Sequence, residues 1–224
     1  MTPTLPECIE IETGPNPTHA VIWLHGLGAS GDDFVPIIPE LQLPASPAVR
    51  FVFPHAPVQP VSLNNGYPMR SWYDIYPPGA AARREDEAGL RSSEQAVRGL
   101  IARENQRGIA SSRIVLAGFS QGCAMTLQTG LRLPDTLAGM VCLSGYLPLA
   151  DLADAERHAA NQNTPIFMAH GNHDPMVDIS RAEASRNWLQ QRGYTVQWQV
   201  YPMPHSVCME EVEDISAFLQ QVLR

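Results

Sequence analysis

At 224 residues, 44% hydrophobic and 17% charged, the chain is long enough to bury about 70% or more of its unfolded surface as one domain, 1–224, without disulfides or metal. A net charge of −8 argues against nucleic acid and anionic membrane surfaces as partners, since both would repel it. No apolar run approaches the ~20 residues of a membrane span. Residues 1–7 lack the basic start and apolar stretch of a signal peptide, so a cytoplasmic location is expected.

Residues 8–13 (CIEIET) alternate, with Ile9 and Ile11 on one face, as an edge strand does. The runs 20–25 (AVIWLH), 50–53, 114–119, 139–144 (GMVCLS) and 165–170 (PIFMAH) are instead near-continuously apolar. Strands buried on both faces of a parallel sheet look like this. Residues 54–79 hold six prolines and Asn64-Asn65-Gly66. They show no clear period, and a long irregular segment inside a compact domain is usually functional.

Residues 85–106 read as a helix, acidic at the start and basic at the end, with Leu90, Val97, Leu100 and Ile101 as its core stripe. A second helix is capped by Asp178 and ended by Gly193. Residues 196–201 (VQWQVY) alternate as a second edge strand. Val212, Ile215, Leu219 and Val222 mark the buried face of a last helix. Strands alternating with helices predict a three-layer α/β fold. The connection 146–164 is too short for a large lid.

Four scattered cysteines, Cys8, Cys123, Cys142 and Cys208, contain no Cys-x-x-Cys pair and read as reduced thiols. Cys208 is expected inside the last helix as a packing residue.

Gly118-Phe119-Ser120-Gln121-Gly122 follows the apolar run 113–117 and precedes a small-residue stretch. This is the sequence form of a nucleophile elbow, a strand-to-helix reversal that holds Ser120 in a strained conformation and presents its hydroxyl. Such a hydroxyl needs a base. His205, between a strand end and the last helix, lies where open parallel sheets bind ligands. The orienting acid should come from a loop between them in sequence. Asp174 fits, and Asp178 is its rival, already accounted for as a cap. Activity should then rise with pH as the base imidazole loses its proton.

An oxyanion hole needs two backbone N–H groups. Gln121, after the nucleophile, supplies one, and Leu27 within Leu24-His25-Gly26-Leu27-Gly28 supplies the other. His25 reads as a structural hydrogen-bonder. His170 and His173 beside Asp174 are a weak match to a zinc site. No metal is expected.

With these motifs in place the chain resembles the small carboxylesterase, lysophospholipase and acyl-protein thioesterase family of α/β-hydrolases. The likeness rests on Leu24–Gly28, His55 with its flanking prolines, Arg70-Ser71-Trp72-Tyr73-Asp74, Gly118–Gly122, residues 170–177 and Pro204-His205. It implies a mostly parallel sheet with helices on both faces and no large lid. It also implies a serine hydrolase, free of cofactors, that cleaves carboxylic esters through an acyl-enzyme, with Ser120, Asp174 and His205 as triad.

Lipid acyl esters, including lysophospholipids, and acyl thioesters on proteins are the further substrates of that family. Leu63, Trp72 and Tyr73 would wall an acyl channel, although Trp72 also reads as a core aromatic. Exposure of Leu63, Tyr67 and Tyr76 would favour a homodimer formed over the pocket mouth. The rival class is a non-catalytic ligand-binding protein on the same fold.

Overall fold

The computed structural model describes residues 5–77 and 85–224. Its central sheet has seven strands: β1 (Cys8–Glu12), β2 (His19–Leu24), β3 (Val49–Pro54), β6 (Ile114–Phe119), β7 (Gly139–Leu143), β8 (Ile166–Gly171) and β9 (Val196–Tyr201). The spatial order is β1-β3-β2-β6-β7-β8-β9. β1 runs antiparallel to β3, and every other pairing is parallel.

The unbroken apolar strands are explained by two cores. Along β2, Ala20, Ile22 and Leu24 enter the core beneath α2 (Glu87–Gln106) and α3 (Gln121–Arg132). Val21 and Trp23 enter the other, with residues of α1 (Ile37–Glu40) and α6 (Met209–Val222). Alternating side chains therefore meet a hydrophobic layer on both faces, and all six β2 residues are buried. α4 (Ala150–Glu156) and α5 (Ile179–Gln191) complete the first layer. The first long helix begins at Glu87, two residues later than its charge pattern implies, because Asp86 caps it by accepting from the Gly89 amide at 3.0 Å.

Residues 54–79, read as irregular, contain a small hairpin, β4 (Val58–Val61) with β5 (Tyr67–Arg70). Its connection opens with a 3-10 turn at Ser62–Asn64, and Asn65 and Gly66, at φ 56° and 75°, lead the chain back into β5. Pro78 and Gly79 lie outside the described residues. Cys208 is likewise not inside α6 but at its N-cap.

The chain winds from β2 outward to β3, and from β6 outward in the other direction. The carboxyl ends of β2 and β6 thus flank the topological switch point, where open α/β sheets form their ligand crevice.

Candidate active site

Ser120 stands between β6 and α3 with φ 56° and ψ −115°, a backbone conformation that L-residues seldom adopt. The surrounding close approaches hold it there. A Cβ on Gly122 would lie 2.0 Å from the Leu24 carbonyl oxygen, and one on Gly118 2.2 Å from the Gly122 backbone. The two glycines let α3 start hard against β2 and β6, and the Ser120 amide donates to Leu143 O at 2.9 Å.

The β2 loop meets the elbow from the other side: a Cβ placed on Gly26 would be 3.3 Å from Ser120 Cβ. His25 shapes that loop with both ring nitrogens. Its Nε2 accepts from the Ala56 amide at 3.0 Å, so Nδ1 carries the hydrogen and donates to Gly26 O at 2.7 Å. Burial holds His25 down at about 4, keeping the ring neutral. Gly28 N–H donates to Arg70 O, and the Gly31 amide donates to His55 Nδ1. Among the described residues neither the Leu27 nor the Gln121 amide has a backbone acceptor.

On the far strands, His205 Nδ1 lies 2.6 Å from Asp174 Oδ2, and the His205 ring packs 4.7 Å from Phe119, the residue before Ser120. The Asp174 side chain is fully buried and His205 is 17% exposed. Asp174 Oδ1 accepts from the Met176 and Val177 amides at 2.8 and 2.9 Å. Each carboxylate oxygen thus has a donor, and the loop is wrapped round it. Asp178, the rival acid, caps α5 through the Ser180 amide.

Sequence reasoning did not find the role of the Gln121 side chain. Its Oε1 accepts from the Trp72 amide at 3.0 Å, and its Nε2 donates to Tyr73 O at 2.8 Å. The first residue of α3 therefore fixes the segment after β5. Trp72 packs on the His25 ring at 5.3 Å and donates from Nε1 to His25 O. Trp72 and Tyr73 are buried, whereas Leu63 and Tyr67 on the hairpin are 39% and 68% exposed. Asp74 accepts from the Ser62 amide and hydroxyl, tying the hairpin down. The Gln121 and Trp72 bonds join residues 47 to 49 apart in the chain, which no local pattern announces.

The family described as Phospholipase/Carboxylesterase matches residues 6–223. The chain belongs to the phospholipase/carboxylesterase family. An acyl-protein thioesterase 1 from Mycosarcoma maydis is 40% identical over 96% of this chain and 95% of its own. One from Neurospora crassa is 41% identical over 92% and 87%. Among solved structures, Arabidopsis thaliana SOBER1 superposes with a TM-score of 0.85 at 31% identity, covering 92% of this chain and 99% of that one. Zea mays acyl-protein thioesterase 2 gives 0.84 at 26% identity, over 98% and 100%. As a phospholipase/carboxylesterase family member the chain is a hydrolase of the esterase and thioesterase type on the α/β-hydrolase fold. Among its described residues no helix is long and apolar enough to cross a membrane.

Proposed function

We propose that the chain hydrolyses carboxylic esters and acyl thioesters through an acyl-enzyme on Ser120. What carries the reading is the strained serine at the switch point, on the same rim as an imidazole 2.6 Å from a buried carboxylate. Asp174 accepts a hydrogen bond from His205 Nδ1–H, which leaves Nε2, on the opposite side of the ring, free as the base. His205 removes the Ser120 proton as Oγ attacks the acyl carbonyl. The oxyanion receives hydrogen bonds from the Leu27 and Gln121 amides. His205 then protonates the leaving alcohol or thiol as its bond to the acyl carbon breaks. Water, deprotonated by the same ring, releases the carboxylic acid.

Relatives named acyl-protein thioesterases at about 40% identity support acylated protein as one substrate class, with lysolipid esters as another. Leu63 and Tyr73 would contact the acyl chain, while Trp72 acts from beneath by holding His25 O. The test is a rate series against p-nitrophenyl esters from acetate to palmitate, beside an acyl thioester, for the native chain and Ser120→Ala. Removing the nucleophile should lower kcat on the order of 10⁶-fold for both substrate classes. Substantial hydrolysis by the variant would overturn the reading.

A further inference from the structure

Asp174 faces a second imidazole. His170, the fifth residue of β8, is fully buried, and its Nε2 lies 2.8 Å from Val177 O and 3.4 Å from Asp174 Oδ2. Both neighbours are acceptors, so Nε2 carries the ring's hydrogen. Among the described residues Nδ1 has no hydrogen-bond partner, which leaves Nε2 as the ring's one polar anchor there.

The consequence for the loop is topological. Residues 171–177 leave β8 and fold back so that the Asp174 carboxylate collects the Met176 and Val177 amides on Oδ1. Those bonds fix the carboxylate relative to the loop, but not the loop relative to the sheet. The outgoing arm is held by Asn172 N–H on Tyr201 O and His173 N–H on Met203 O. The returning arm is held by the His170 Nε2–H bond to Val177 O, which closes the loop onto the strand it came from. The same nitrogen lies 3.4 Å from Oδ2, the oxygen that accepts from His205, so its partial positive hydrogen acts on that oxygen electrostatically while bonded to Val177 O.

The geometry points to His170 as a positioning residue: it closes the 171–177 loop through Val177 and holds Asp174 Oδ2 in line with His205 Nδ1. It touches no reacting atom. The inference rests on the reading of Asp174 as the acid of a Ser120 hydrolase.

The variant His170→Phe keeps a flat ring in the same space and removes the donor, while His170→Gln returns an N–H donor at similar reach. H170F should lower kcat by about 10- to 100-fold, the order expected when reacting groups are misplaced by an ångström or less. KM for a p-nitrophenyl ester and the fraction of protein labelled by a fluorophosphonate should stay unchanged. The acid limb of its kcat/KM profile should move, because His205 meets its carboxylate differently, and H170Q should recover most of the lost rate.

Wild-type kcat and pH profile in H170F would overturn the inference, as would equal impairment of H170F and H170Q. If H170F does not fold, the native protein still decides. In ¹⁵N-histidine spectra His170 should be the Nε2–H tautomer, and the Nδ1–H tautomer would contradict the proposal. Ser120→Ala run alongside separates the two levels: an inactive S120A with an unaltered H170F removes this inference alone, whereas an active S120A removes the hydrolase reading beneath it.

Discussion

Two loops at the carboxyl edge of the sheet each carry a histidine, and they are built in opposite ways. In the loop after β2, His25 is buried and both ring nitrogens are committed to backbone groups, so its task is to shape the chain between Gly26 and Gly28. In the loop after β9, His205 is partly exposed and engages one side-chain carboxylate through Nδ1. A backbone partnership at both nitrogens freezes a ring and leaves it nothing to exchange. A carboxylate on one nitrogen orients the ring and stabilises its protonated form while the other nitrogen is presented elsewhere. Residue type alone does not distinguish a base from a strut; the partners do.

Substitutions can break that contrast. His205→Gln should lower kcat on the order of 10⁶-fold with the fold retained, as measured by ester hydrolysis and thermal melting. Asp174→Asn should cost about 10⁴-fold by imposing the wrong tautomer. Asp178→Asn should change little, since asparagine caps a helix as well as aspartate does; the reverse order would identify Asp178 as the acid. His25→Gln should cost roughly 10²–10³-fold in kcat, the scale of one lost oxyanion donor, through displacement of the Leu27 amide.

That variant should also alter stability against pH. Folded His25 binds its proton only near pH 4, whereas the unfolded ring does so at 6.5. The stabilisation is therefore complete above pH 6.5 and drains away as pH falls through this window, by about 3 kcal/mol at its foot. Denaturant melts of H25Q between pH 7 and 4 should show a flatter decline.

The smallest expected effect on rate comes from α6, which follows the His205 loop. Burial pushes its Glu211 carboxyl up to about 8 from an ordinary 4.5. The folded state holds a proton there that the unfolded chain has released, so stability falls as pH rises from 4.5 through 8. Glu211→Gln should leave kcat unchanged and relieve up to about 4 kcal/mol of that loss at pH 8, read from the same melts.

The contrast between the loops also shows what was legible in the sequence. Buried parallel strands write themselves as unbroken apolar runs, as 114–119 does for β6, and the alternating run 196–201 coincides with β9 at the sheet's edge. The elbow was legible because its glycines answer to local sterics. The β4–β5 hairpin was not, because its strands are four residues long, half-exposed and interrupted by Pro60 and Pro68. The Asn65-Gly66 pair was the signal for it: both residues tolerate the positive φ by which the longer connection 62–66 returns to β5. The anchoring of Trp72 by Gln121 and the contact of His170 with the Asp174 loop depend on how the chain closes in space, and a linear pattern does not carry them.

The central claim is that the hydroxyl at the elbow is the nucleophile. Exposure to a fluorophosphonate, followed by intact mass and peptide mapping, tests it most directly. The account predicts a single adduct on Ser120, lost in Ser120→Ala and formed far more slowly in His205→Gln. An adduct on another residue, or labelling that persists at full rate without the Ser120 hydroxyl, would contradict it.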